Sequence, residues 1–356
     1  MGEIGELPAR TQQRVRTSEG LATFLEANDI SLACTSYQTG RLYFVGRGRR
    51  GDIEISHALF PQATGFAVDG NSIVLATMTQ IIRLQNIVTG EETEPRGHDK
   101  MFVPRTSHLT GNVEVHQVGV GADEQIIFVN TTYNCLCTLS RVHSFKPVWK
   151  PSFVSALVAE DRCHLNGVAM EAGRPKYVTA FARSDTRHGW RAMAGNTGIV
   201  IDVDSQTIVA EGLSMPHSPR LYRGKLWLTN SGTGEFGHID PGSGIFVPLC
   251  FAPGYLRGID FFGDFALLSL STFRPGRSGH LQLEDRLRRE NLTAWCGLQI
   301  VSLETGAAAH WLRFEGVINE LFDVAVLPET RNPTAIGFQY KDIQDLISLE
   351  NPGHAL

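Results

Sequence analysis

The feature that most constrains this chain is a repeat of short apolar strands separated by Gly, Asp and Asn turns. The clearest copy is Ser218–Val247, SPRLYRGKLWLTNSGTGEFGHIDPGSGIFV. In it one strand ends at Leu221–Tyr222, a second covers Lys225–Thr229, a third covers Phe236–Ile239, and Asp240–Gly244 turns the chain. Aligned on the residue ahead of the first strand, the units start at Gln62, His116, His164, His217, Tyr255 and Glu320. The intervals are 54, 48, 53, 38 and 65 residues, the last containing an insertion at Arg274–Thr293. Repeats of about 40–50 residues suit four-stranded propeller blades. The sixth unit is short of strands, and Arg41–Val45 with Asp52–Ile55 can complete it, closing the ring and removing exposed edges.

The expectation is an all-β, six-bladed β-propeller with a short N-terminal helix and a C-terminal helix. The N-terminal helix is read at Ser18–Asn28, with Leu21, Phe24 and Leu25 at helical spacing and Ser18 as cap. The C-terminal one is read at Lys341–Glu350, with Ile343, Leu346 and Ile347 on one face. Asp285–Asn291 reads as a short helix or a loop. Residues 1–30 form an extension, 31–340 the propeller and 341–356 a tail.

Composition supports a body of stacked sheet and excludes several classes. Charged residues are 19% of 356, below the usual ~25%. Net charge is 32 − 37 = −5, so the general field that attracts nucleic acid is absent. No apolar run reaches the ~18–20 residues of a membrane span. Met1–Gly20 lacks the apolar core of a signal peptide. Cys34, Cys135, Cys137, Cys163, Cys250 and Cys296 are scattered and do not form a disulfide framework. Reduced thiols and a cytoplasmic location are expected, with a small-molecule or peptide partner and neither nucleic acid nor membrane.

In a propeller the residue ahead of each innermost strand sits at the channel mouth. Residues about 50 positions apart therefore converge. Three neutral imidazoles, His116, His164 and His217, together with Glu320 would make a first shell for a divalent transition metal such as Fe, Zn or Cu. The alternatives are a polar cluster that binds ligand without metal, and histidines that only pack against the next blade. Arg220 and Arg257 lie beside these positions and could hold a carboxylate or phosphate. Each could equally form an inter-blade ion pair, for instance with Asp260 or Asp323. Glu320 is a candidate fourth ligand or general base, and Tyr255 a candidate proton donor. Gln62, Asn166 and Ser218 offer small polar groups for substrate.

Other features carry less. Strand alternation turns Cys163 away from His164, as a buried free thiol. Cys135 and Cys137 face one side of a strand, as a core pair or a soft-metal site. Gly232–Gly237 lacks the strand-to-helix context of a phosphate loop. Arg47–Arg50 is a lone basic cluster, and no G-x-S-x-G elbow occurs.

Three stretches carry a resemblance: DRCHLNGVAM, GLSMPHSPRLYRGKLWLTNSGTGEFGHID, and the run from FVNTTYNCLCTL through SFKPVWKPSFVSAL. Through them the chain resembles a bacterial family of conserved hypothetical proteins that carries a domain-of-unknown-function label and a propeller-like repeat. The resemblance spans roughly Gly65 to Pro333. It places Cys163, His164, Asn166, Gly167, Pro216, His217, Ser218, Pro219 and Arg220 within the family's characteristic RCHLNG and MPHSPR stretches, and implies no settled activity. In architecture the chain is also similar to gluconolactonase and strictosidine-synthase-like proteins. Those of them that use metal hold a Ca-type ion with Glu, Asn and Asp, whereas this sequence presents His, which suits a softer metal. The functional expectation is a metal-dependent enzyme acting on a small, anionic substrate in the channel. The alternative is a non-catalytic propeller binding a small ligand, peptide, glycan or partner protein.

Overall fold

A computed structural model describes residues 14–88, 97–193, 195–272 and 281–349. Six sheets of antiparallel strands form the six blades of a propeller. The innermost strands are Phe66–Asp69, Val115–Val120, Leu165–Glu171, Pro216–Tyr222, Tyr255–Phe262 and Val324–Pro328. Blades one to five run outward in chain order. Blade six combines both ends of the chain: Val324–Pro328 is innermost and pairs with Ile30–Ser36, followed by Arg41–Arg47 and Ile53–Leu59. Two strands extend outer edges. Arg14–Thr17 pairs with Ala308–Glu315 of blade five, and Pro333–Ala335 lies parallel to Lys100–Leu109 of blade one.

The second strands of the blades are mostly buried on both faces, which is why they read as unbroken apolar runs instead of alternation, whereas the outermost strands are partly exposed. In Ser72–Ala76 the side chains of Ile73 and Leu75 join blade six, while Val74 and Ala76 join blade two. Ile127 and Val129 pack on blade three, and Phe128 between them packs on blade one. Trp227 and Phe236 meet Leu256, Ile259 and Leu268 between blades four and five.

The repeated glycines mark where innermost strands crowd the axis. A Cβ at Gly65 would stand 2.6 Å from the carbonyl oxygen of His116 in the next blade. One at Gly258 would stand 2.6 Å from the amide of Val324. One at Gly167 would run into the Pro219 ring and the Thr179 hydroxyl. Gly119 differs, because its Cβ would meet the Met170 side chain.

Outside the blades the helices depart from expectation. The N-terminal helix is shorter, Leu21–Ala27, and Gly20 caps it in a left-handed conformation. Ser18 instead ties the chain to blade five: its hydroxyl contacts His310 Nδ1 and accepts from the amide of Trp311. No C-terminal helix forms over 341–349. One 3-10 turn covers Lys341–Gln344, and Ile347 and Leu349 are exposed. With no surface to bury its apolar face, a single short amphipathic stretch does not hold a helix. Within the insertion a helix covers Gln282–Arg289, while 273–280 fall outside the described residues. All six cysteines are free thiols. No helix among the described residues is long and apolar enough to cross a membrane.

Candidate functional site

A cavity of about 480 Å³ opens at the mouth of the channel. Seven expected residues line it: Gln62, His116, His164, His217, Tyr255, Arg257 and Glu320. They come from all six blades. Bulges in the innermost strands, at Leu165–Gly167, His217–Arg220 and Leu256–Ile259, follow the mouth residues and re-aim them.

Arg220, Asn166 and Ser218 do not line the cavity. Three residues beyond His217, Arg220 sits about 10 Å further along the channel. There it pairs with Asp323 of blade six at 3.7 Å. Burial raises the Asp323 pKa to about 6, with Arg220 pulling the other way, and burial raises Asp260 nearby as well. Asn166 clamps two blades: its amide donates to the Pro216 carbonyl at 2.9 Å and its oxygen accepts from Thr179 at 2.6 Å. Ser218 occupies the bulge at φ 49°.

Two of the three histidines share one device. His116 Nδ1 lies 2.9 Å from the Glu114 carbonyl, and His217 Nδ1 lies 3.0 Å from that of Met215. A carbonyl only accepts, so each Nδ1 carries the hydrogen and the neutral ring has its lone pair on Nε2. Both carbonyls are turned inward by residues at φ 50°. Thr131 and Ser231, at equivalent places after the second strands of their blades, contact the same nitrogens at 2.7 and 3.0 Å. His164 is held differently. Its Nδ1 faces the carboxylate of Asp161, 3.1 Å from each oxygen, and Trp190 Nε1 donates to the same carboxylate at 2.7 Å. The imidazole packs in tilted contact with both Phe181 and Trp190, centroids at 4.4 and 4.3 Å, and those two rings meet edge-on at 5.3 Å.

Ring contacts run around the mouth in a closed belt. Arg257 packs over Phe322 at 4.8 Å and over Tyr255 at 5.5 Å. Tyr255 meets His217 at 5.7 Å, and His217 meets Phe181 at 5.2 Å. Phe181 meets His164, His164 meets His116 at 4.9 Å, and His116 returns to Phe322 at 5.4 Å. The insertion helix backs one side, its Leu283 and Leu287 packing with Met215 and Tyr255. Burial, then the Arg257 charge and the neighbouring imidazoles, hold His217 well below the usual imidazole pKa, so it is neutral at pH 7. No carboxylate among the described residues forms an ion pair with Arg257.

The belt also bears on the expected metal. Among the described residues no three His, Cys, Asp or Glu side chains stand close enough to share one ion. Phe181 is in ring contact with both His164 and His217. Cys163 is buried with its thiol against Asn134 Oδ1, and burial raises its pKa, which removes it as a nucleophile. Cys135 and Cys137 are likewise buried, their sulfurs 3.4 Å apart.

Sequence reasoning missed Asp161, Phe181, Trp190 and Phe322. Asp161 was within sight, three residues before His164. Trp190 sits in the long connection after blade three's second strand, and a connection of that length is itself a functional signal.

Fold and site together define a six-bladed propeller with an aromatic and histidine-lined axial pocket. The chain belongs to the family described as a domain of unknown function, DUF4915, whose match covers residues 19–336. No curated protein matches it. Solved propellers are similar at low identity. Virginiamycin B lyase from Staphylococcus aureus is 12% identical with a TM-score of 0.42, over 81% of this chain and 77% of that one. A chain of a nidogen/laminin complex is 11% identical at 0.49, over 84% and 98%. Luciferin-regenerating enzyme is 11% identical at 0.45, over 90% and 99%.

Proposed function

We propose that the protein is an enzyme acting on a small anionic molecule held at the propeller mouth. Arg257 carries this reading. A guanidinium at a half-buried cavity wall that packs over Phe322 and Tyr255 and forms no ion pair with a carboxylate among the described residues favours an incoming anion, since burying a charge without a counter-charge is costly.

The imidazoles supply proton chemistry. In the dyad, Asp161 fixes the His164 tautomer and would stabilise the imidazolium formed when Nε2 takes a proton. Neutral His217 and the Tyr255 hydroxyl, which belong to the same cavity lining, are partners for that proton. Glu320 lines the same cavity as a further acid–base group. The direct test incubates the purified protein with a panel of small anionic molecules and follows each by mass spectrometry. Turnover by the native protein that is lost in His164→Ala, with folding retained, is expected. Neither turnover nor ligand-induced stabilisation with any anion would sink the reading.

A second reading keeps a divalent transition metal, Fe, Zn or Cu, on His116, His164 and His217. What favours it is the anchoring of all three Nδ1 atoms, the outer-sphere arrangement of metal-binding imidazoles. The rings as they stand do not fit one ion, so no step is routed through it. Elemental analysis before and after reconstitution decides: stoichiometric metal lost in His217→Ala supports it, and none after reconstitution removes it.

A further inference from the structure

Resting on the anionic-ligand reading, we infer that the mouth takes an anion that also carries at least one hydroxyl, its charge on Arg257 and its hydroxyl donating to Nε2 of His217 or His164. Three polar groups of the cavity wall carry this.

The first is His217, which is only 5% exposed and lines the cavity. Its Nδ1 meets the Met215 carbonyl and Ser231 Oγ, both at 3.0 Å. Thr229 donates to the His217 carbonyl at 3.3 Å, so the Ser231 hydroxyl donates to Thr229 Oγ1 at 3.1 Å and accepts from the ring. The chain of hydroxyls thereby fixes the hydrogen on Nδ1 and leaves Nε2 as an acceptor. No donor among the described residues reaches that nitrogen, and it is not sealed within the protein.

The second is His164, 9% exposed on the same wall. The Asp161 carboxylate holds its hydrogen on Nδ1, so its Nε2 is a second acceptor that no donor among the described residues reaches. When a ligand displaces water from such a nitrogen, a missing donor is costly.

The third is Arg257, whose guanidinium packs over Phe322 and Tyr255 and makes no hydrogen bond or ion pair among the described residues. It offers donors only. One cavity therefore asks for negative charge at one place and for a hydrogen-bond donor at another, and a plain anion meets only the first demand. A hydroxyl meets the second better than an ammonium, because burial and the Arg257 charge disfavour positive charge at His217. On His164 a hydroxyl would also present the Asp161-backed imidazole with a proton to remove.

The test is calorimetric titration of the full chain with matched carboxylates: acetate and glycolate, propanoate and glycerate, butanoate and threonate, pentanoate and xylonate. In at least one pair the hydroxylated acid should bind about tenfold more tightly than its plain counterpart. Nitrogen-15 spectra of the native protein should show Nε2 of His217 or His164 moving upfield as that acid binds, a readout that needs no variant to fold. His217→Phe or His164→Phe, whichever removes the nitrogen that moved, should erase the preference and keep the affinity for the plain acid. If every pair binds alike and Arg257→Met weakens both members, the anionic reading stands and this inference falls. It also falls if the preferred acid leaves both Nε2 resonances unmoved, if β-alanine gains as much over propanoate as glycerate does, or if no carboxylate binds. If glycerol binds as well as glycerate and Arg257→Met changes neither, the anionic reading falls with it.

Discussion

Asp161 shows how one side chain can give a repeated position a separate role. Histidines recur at the mouths of three consecutive blades, but only His164 is backed by a carboxylate instead of a carbonyl. Replacing Asp161 with Ala leaves the buried His164 Nδ1 and the half-buried Trp190 Nε1 without their acceptor. The cost should be about 1–3 kcal/mol, read from urea unfolding. The exchange-protected His164 Nδ1 proton should vanish from the NMR spectrum. A retained proton with unchanged stability would show that the dyad holds nothing. Arg257 and Arg220 make a related point about legibility. Arg257 is two residues past Tyr255 and lines the same cavity, although it falls within the Leu256–Ile259 bulge. Arg220 is three past His217 with a bulge between, and no spacing rule locates a bulge. Phe181 was beyond reach, because its contact with two imidazoles depends on where blade three's second strand ends.

At the scale of the strand, the apolar runs and their glycines were legible because each obeys a local rule. SIVLA and QIIF read as strand since both faces are buried, and Gly recurs where one innermost strand abuts the next. Gly167→Ala drives a methyl into Pro219 and Thr179, which are held by neighbouring strands. A loss of about 1–3 kcal/mol is expected. Gly119→Ala meets only the bendable Met170 chain and should cost less than about 1 kcal/mol. Equal shifts in the urea midpoint would contradict this. The C-terminal stretch was misread for the complementary reason: its pattern is helical, but nothing covers Ile347 and Leu349.

Across the whole molecule, two features bind the ring together. One is the ion pair inside the channel, from blade four to blade six. The folded pKa of Asp323, about 6, lies above its ordinary 3.8. Stability from this group therefore falls as pH rises from about 4 to 6 and is level above. Arg220→Met removes the compensating cation and raises the folded pKa further. The loss should be about 3–5 kcal/mol near pH 7.5 and visibly smaller at pH 5, where the carboxyl is protonated. His217 acts in the opposite sense, since its folded pKa is depressed and acidification below 6.5 favours the unfolded chain. That contribution is common to both proteins and cancels in their difference. A deficit independent of pH would reject the assignment. The other feature is closure of blade six. A chain ending at Phe322 loses Val324–Pro328 and leaves Ile30–Ser36 as an exposed inner edge. It should lose the single cooperative urea transition of the full chain, followed by circular dichroism and fluorescence together.

The belt of rings ties occupancy to closure. Its members come from blades two to six, so it exists only when both termini have met. Any molecule that binds inside it is bound by the shut ring alone. At one hundred times its dissociation constant it would clamp the circle by about 2.7 kcal/mol. Conversely, a chain whose ends have parted has no pocket from which to release its cargo slowly: the seam and the ligand let go together.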